Sequence, residues 1–312
     1  MAYSDEAVAF STLPVGHQVR LEDRVSFLYI EYCAVRQDRT GVVAIGEDDA
    51  AEKVVRRRVQ MPVAGISVLI LGPGTSITQP AITSCTRSGV TVLFAGGGGV
   101  PAYAHATPLT SSARWAIAQA RLVAQEKHQR IAAMVFYKKQ LGMEHMPGGS
   151  IATMRGLEGR AMRNLYREMS KKHKVEKFKR NTDSDDPVNI ALNITNSILY
   201  GCAASACAAI GINPALGIIH RGNARSLLYD LADLYKPTIS IPIAFAASKE
   251  DDVPTTVRKA VRAELVRQGV LKGMLAALME VLTPYLPARD DDRLVADTED
   301  EAIGHTQYGK EE

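Results

Sequence analysis

Cysteine is scarce and unpatterned in this chain of 312 residues. Its four cysteines (Cys33, Cys85, Cys202 and Cys207) show no CxxC spacing and no histidine at zinc-finger intervals. That argues against a disulfide scaffold and a structural zinc site, and fits a cytoplasmic, reducing compartment. Long apolar runs are also missing. The longest, ILYGCAASACAAIGI (198–212), is too short and too rich in small residues to span a bilayer, so no membrane association is expected. The N-terminal MAYSDEAVAF lacks the basic stretch followed by an apolar one that marks a secretory leader. Nor is there a phosphate loop. The GGGG at 96–99 runs into strand-like VPAYAHA with no Lys-Ser/Thr, and reads as a turn.

What is present suits a soluble folded protein long enough for two domains. Net charge is only +3, but the average hides an asymmetry. From Asp290 onward nine acidic residues face two basic ones, which leaves the first 289 residues at +10. Residues 160–180 alone carry nine Lys/Arg against two Glu. A basic body with an acidic tail points to a polyanion partner, the rival reading being a solvated surface plus a disordered tail.

The pattern predicts an α+β protein: a small β-rich N-terminal domain (1–108), then a larger all-helical domain (109–288), then a disordered acidic tail (289–312). Strands are expected in RVSFLYIEYCAVR (24–36), GVVAIG (41–46), AGISVLILG (64–72) and VTVLFAG (90–96), with a short helix over 78–89 closed by Gly89. Their close spacing favours a β-rich domain over alternating βαβ units. Residues 109–141 contain no internal Pro or Gly and read as one long helix. A second helix starts at Ser150 as N-cap, and a third has Asp186 as N-cap, Pro187 in its first turn and Gly211 as its stop.

Residues 217–237 read GIIHRGNARSLLYDLADLYKP. On a helix at about 100° per residue, Asp230 and Asp233 lie about 60° apart on one stripe with no i,i+4 cation to pair with. Asp233 also approaches the helix C-terminus, where the macrodipole disfavours an anion. Glu158 is equally misplaced. It falls inside the apolar face set by Met154, Leu157, Ala161 and Leu165, flanked by Gly156 and Gly159, which would let another backbone approach. An inward, unpaired carboxylate costs several kcal/mol or takes up a proton unless a cation is supplied. Glu158, His220 and Asp233, helped by Asp230, are therefore candidates to converge around Mg²⁺ or Mn²⁺, leaving positions open for water or phosphate oxygens. The alternatives are a salt bridge from Glu158 to Arg155, a solvated Asp pair and a structural histidine.

Asn189, Asn193, Asn196 and Tyr200 share one helical stripe. Asn189, Asn193, Tyr200 and the Tyr229 next to Asp230 are candidates to support the site, although amides that simply join helices would look the same. Arg163, Lys236, Arg258 and Arg262 belong to the basic sets that would grip phosphates, and Tyr32 would stack on bases or a duplex end unless it is a core aromatic.

LEGR around Glu158, DPVNIALN…ILYG and GIIHRG…YDLADLYKP, in that order, resemble the CRISPR-associated spacer-acquisition integrase, the first of the numbered Cas proteins. RVSFLYIEY and LGPGTSIT resemble its I-E subtype, and the likeness spans roughly residues 13–285. The resemblance implies Glu158, His220 and Asp233 as metal ligands and Asp230 as a further site aspartate. It implies joining of the 3′-hydroxyl of a captured DNA fragment to a CRISPR repeat by transesterification, with nuclease and reverse reactions at the same site. It also implies a homodimer bound to the second adaptation protein in a heterohexamer, a Tyr32 that braces the duplex end, and DNA contacts from Lys236 and Arg262. The chain departs from the family after PGT, where Ser76 and Thr83 stand in place of arginines, and Arg87 lies about one turn on. Two rivals remain at this point: a non-catalytic nucleic-acid-binding scaffold and a metal-dependent phosphohydrolase of small phosphoesters.

Overall fold

A computed structural model describes residues 19, 23–50, 53–96, 101–105, 112–143, 149–176 and 178–287. The acidic tail and most of the GGGG turn lie outside these residues.

Among the described residues, eight strands form two sheets. β1 (Val25–Ile30), β5 (Ile66–Leu71), β7 (Thr91–Ala95) and β8 (Pro101–His105) are ordered β1-β5-β7-β8. β2 (Cys33–Asp38), β3 (Gly41–Ala50), β4 (Lys53–Met61) and β6 (Ser76–Ile77) are ordered β4-β3-β2-β6. The fully buried ISVLIL of β5 pairs parallel with both β1 and β7. A strand covered on both faces is a continuous apolar run rather than an alternating one. Its Val68 and Ile70 join the core of the helical part, whereas Leu69 and Leu71 join a second core shared with β2, β3 and helix α1 (Gln79–Arg87).

Three expectations are corrected here. RVSFLYIEYCAVR is two strands, because the chain passes from one sheet to the other at Tyr32, whose φ is +50° and whose N–H donates to the Pro73 carbonyl. The strand β4 escaped notice because the three arginines Arg56–Arg58 obscure its alternation; pairing with β3 from Val42↔Met61 to Ala50↔Lys53 forms it. The parallel β5/β7 pair joined through α1 also places one crossover unit inside the β-rich part.

The helical part contains α2 (Arg114–Val123), α3 (Glu126–Leu141), α4 (Ile151–Lys172), α5 (Pro187–Ala209), α6 (Ser226–Asp233), α7 (Ile241–Ala247), α8 (Val253–Arg267) and α9 (Val270–Leu282), with a π-turn at Lys236–Ser240. The single helix expected over 109–141 is two. Both halves bury the same stripe, but residues 124–127 at the break are all exposed, so no burial holds the helix straight there. α5 is the central element. Asp186 accepts from the Asn189 N–H at 3.0 Å, and Pro187 sits in the first turn, where no donor is lost. Its 23 residues are long and apolar enough to cross a membrane, yet 89% of its apolar window is buried inside the protein, where it serves as the core helix. Gly201 lets it lie on β5: a Cβ there would stand 2.9 Å from Val68 Cγ1.

Candidate active site

The loop between α5 and α6 carries His220, and α6 folds back to hold it. Asp230, only 1% exposed, accepts the backbone N–H groups of Ile218 (2.6 Å), Ile219 (3.0 Å) and His220 (2.9 Å), and bonds His220 Nδ1 at 2.7 Å. Both carboxylate oxygens are therefore engaged. Of the roles open to Asp230, touching the metal or helping the other three groups, this geometry fits the second: Asp230 shapes the loop and orients His220. The bond to Asp230 raises the His220 pKa above its usual value, against the opposing effect of burial. With Nδ1 donating to Asp230, the neutral imidazole presents Nε2 as an acceptor or ligand. Gly217 permits the tight path, because a Cβ there would lie 2.2 Å from the His220 carbonyl oxygen.

Nε2 points towards Asp233, 4.0 Å from Oδ2. Asp233 is not unpaired as its helix suggests. The π-turn after α6 returns the Lys236 ammonium to Asp233 Oδ1 at 2.5 Å, an i,i+3 ion pair. That oxygen is buried, and its partner is this ion pair rather than a well-directed hydrogen bond. Burial alone would lower the Lys236 pKa, but Asp233 and Tyr200 outweigh it and keep the ammonium charged.

Glu158 enters from α4 into the same cleft, a cavity of about 380 Å³ lined also by Tyr137, Gln140, Arg155, His220 and Asp233. Gln140 Nε2 donates to Glu158 Oε1 at 3.1 Å. Burial raises the Glu158 pKa and the nearby Asp233 charge adds to the effect, while Gln140, Lys236 and His220 oppose it. Among the described residues Glu158 has no ion pair, and Arg155 stands exposed at the rim. The flanking glycines admit no other backbone, contrary to expectation. A Cβ at Gly156 would meet nothing within 4 Å, and one at Gly159 only Arg163 Nη1 at 3.8 Å; Gly156 lines the open cleft instead.

Tyr229 and Tyr200 form an aromatic wall beside these groups. Tyr229 meets the His220 ring edge-on at 5.8 Å and Tyr200 at 5.3 Å, and Lys236 Nζ lies 5.8 Å from the Tyr200 ring centre. Asn189 and Asn193 do not face His220 or Glu158. Arg180 donates to Asn189 Oδ1 (2.8 Å) and Asn193 Oδ1 (2.7 Å), and the two amides return bonds to the Lys179 and Thr182 carbonyls. They tie the 179–182 connection to α5, and Asn196 bonds Ser240, so these amides fasten α5 to its neighbours, a connection rather than a second helix in the case of Asn189 and Asn193.

The cationic candidates separate similarly. Arg163 and Arg262 are exposed on α4 and α8. Tyr32 is 70% exposed at the sheet junction and is no core aromatic. Arg258 stacks on Tyr29, 3.6 Å from the ring centre, and so links α8 to β1. Sequence reasoning passed over Gln119, Gln129 and Gln140, buried amides on the otherwise apolar stripe of α2 and α3. An amide repeated on an apolar stripe was the available signal.

A model of the CRISPR associated protein Cas1 matches residues 139–259, a stretch containing Glu158, His220, Asp230 and Asp233. A CRISPR-associated endonuclease Cas1 from Clostridium sp. (strain SY8519) is 35% identical over 263 residues, covering 83% of this chain and 84% of the relative. The chain belongs to the Cas1 family. A second Cas1 endonuclease, from Thermus thermophilus, is 34% identical over 87% of this chain and 84% of its own length. A solved TtCas1–DNA complex superposes with a TM-score of 0.72 at 32% identity, covering 90% of this chain and all of that one. A casposase bound to its integration product shares the fold, with a TM-score of 0.64 at 15% identity, 86% of this chain and 93% of that chain being covered.

Proposed function

We propose that this chain is the metal-dependent DNA integrase and endonuclease of CRISPR adaptation. It would join the 3′-hydroxyl of a captured fragment to a CRISPR repeat, acting in the cytoplasm. The observation that carries the reading is the convergence of Glu158, His220 and Asp233, from α4, the α5–α6 loop and α6, on one open cleft. The exposed Arg155 at its rim, with further exposed cations such as Arg163 elsewhere on α4, suits a phosphate backbone better than a small phosphoester. Membership of the Cas1 family and the similarity to a DNA-bound TtCas1 support DNA as the substrate. Of the two rivals, the non-catalytic scaffold leaves the clustering of these three groups without a purpose.

The donor set fits a divalent metal in its chemistry. Two carboxylates and the Nε2 of an oriented imidazole border the cleft, and a cation, the Lys236 ammonium, already neutralises Asp233. Among the described residues no three His, Cys, Asp or Glu side chains stand close enough to form a finished ligand set, and Lys236 is the group that would give way. Glu158, Asp233 and His220 Nε2 would hold Mg²⁺ or Mn²⁺. The bound ion would supply Lewis-acid polarisation of the phosphodiester and lower the pKa of the attacking hydroxyl. Asp230 holds the proton of the neutral ring on Nδ1, which leaves Nε2 as the ligand atom, and the Tyr200–Tyr229 wall screens the imidazole and the ammonium from water. A homodimer bound to the second adaptation protein in a heterohexamer, and the I-E subtype, complete the reading; Tyr32 would brace a duplex end and Arg262 would contact the backbone.

The test incubates the protein, its partner, a short duplex and a supercoiled repeat plasmid with Mg²⁺ or Mn²⁺. Joined product is expected with wild type, with steep inhibition by salt, and none with His220→Ala or Glu158→Gln. Equal product from His220→Ala would overturn the assignment.

A further inference from the structure

The His220 loop is gripped from two sides, and only one grip is the carboxylate described above. On the other side stand two buried amides from different helices. Gln119 of α2, 2% exposed, donates to the carbonyls of Asn213 (2.8 Å) and Leu216 (2.9 Å) and accepts the Asn213 N–H at 2.8 Å. Gln129 of α3, 3% exposed, donates to the Gly217 carbonyl at 3.4 Å and accepts from Arg221 Nη2. The amides thus hold residues 213–217 and 221, and Asp230 holds the three N–H groups between them.

The helix break agrees with this arrangement. In an unbroken helix, residues 119 and 129 would be separated by about 15 Å along the axis. Here they bond the carbonyls of adjacent residues, Leu216 and Gly217. The turn at Ala124–Gln125, which no local residue dictates, brings both amides onto one loop. Burying two glutamines on an apolar stripe is costly unless their polar atoms are satisfied, and the loop backbone together with the Arg221 side chain satisfies them.

We infer that Gln119 and Gln129 are positioning residues of the active site: they hold the 213–221 loop against α2 and α3, so that Asp230 can set the His220 ring. The inference rests on the proposed role of His220. The glutamines touch no reacting atom and act through the loop. Each leucine variant keeps the approximate volume and removes the amide, leaving loop groups unpaired.

The experiment compares wild type with Gln119→Leu and Gln129→Leu as full chains, checked for folding by circular dichroism. Imidazole ¹⁵N resonances are recorded, with His220 assigned by the peaks missing from His220→Ala. kcat and KM are measured for the Mn²⁺-dependent joining of a short duplex to the repeat plasmid, with the partner present. The expected result is a shifted or split His220 resonance, with kcat falling about 10- to 100-fold and KM nearly unchanged. A merely structural pair of amides would lower the melting temperature yet leave the resonance and the kcat of the folded protein as in wild type, and that result overturns the inference. Should neither variant fold, amide exchange in wild type decides: Ile218, Ile219 and His220 should be protected like β5, and exchange as fast as in an exposed loop would overturn it. Activity retained by His220→Ala would remove the catalytic reading, while the resonance and exchange data would still report on the loop.

Discussion

Replacing Asp230 by asparagine changes one heavy atom and should disable His220 without emptying its pocket. In the native site one oxygen accepts the Ile218 and Ile219 N–H groups and the other accepts the His220 N–H and Nδ1. Asparagine has one oxygen. If it serves Ile218 and Ile219, the NH₂ faces the His220 N–H, donor against donor, and also faces Nδ1. The clash on the backbone side has no remedy. On the ring side the imidazole escapes by moving its proton to Nε2, which converts the atom directed at Asp233 from acceptor to donor.

Two charge-assisted bonds at about 1.5–3 kcal/mol each are lost or inverted, and the tautomer switch recovers part of one. A destabilisation of about 3 kcal/mol follows, the lower end of that sum. Urea denaturation measures it. Long-range ¹H–¹⁵N spectra of the imidazole read the tautomer, which should be Nδ1–H in wild type at a pH where the ring is neutral and Nε2–H in the variant. A loss below about 1 kcal/mol, the worth of an ordinary neutral hydrogen bond, together with an unchanged tautomer, would refute the reasoning.

Three further outcomes are expected. Arg258→Ala should cost about 1–2 kcal/mol in denaturation by removing the guanidinium stacked on Tyr29, and Arg258→Lys should restore little of it, because the lysine lacks the planar group. Gly201→Ala should destabilise by about 1–3 kcal/mol through overpacking, since its Cβ would stand 2.9 Å from Val68 Cγ1; a neutral result would mean α5 does not lie on β5 as described. Asp186→Ala should cost about 1 kcal/mol by uncapping α5. Burial tends to raise the Asp186 pKa, but the bonds from Ser184 and Asn189 win and hold it below the usual carboxylate range. Its stabilisation is therefore complete above the unfolded-state pKa and lost as pH falls through the depressed folded value, so the gap between wild type and variant in a pH series of melts should close only in acid.

Much of this was legible because it depends on local chemistry. Ser150 and Asp186 announce their helices, and their side chains accept the N–H groups of Thr153 and Asn189. Glu158 shows as an acid on an apolar face, and it lies in the cleft. What escaped depends on partners distant in sequence or off the helix considered. β4 needs β3 to outweigh its arginines. The break between α2 and α3 leaves no local mark, because the loop its glutamines bind lies about ninety residues away. Arg258 looks like any surface cation until Tyr29 is placed beneath it.

The two aspartates of α6 carry this point furthest. On a helical wheel Asp230 and Asp233 share a stripe and lack i,i+4 partners, and only the closeness of Asp233 to the helix end distinguishes them. Their roles diverge through the chain on either side. The preceding loop wraps its N–H groups around Asp230 and seals it, whereas the π-turn that follows swings Lys236 onto Asp233 and leaves that carboxylate at the cleft wall. A sealed anion bonded by four donors cannot exchange its partners for a ligand without unravelling the loop. An anion held by a single lysine can, because the long side chain can swing away while the backbone stays in place. The same i,i+3 spacing therefore yields one carboxylate fixed for structure and one available for exchange, and it is the second that belongs with Glu158 and His220.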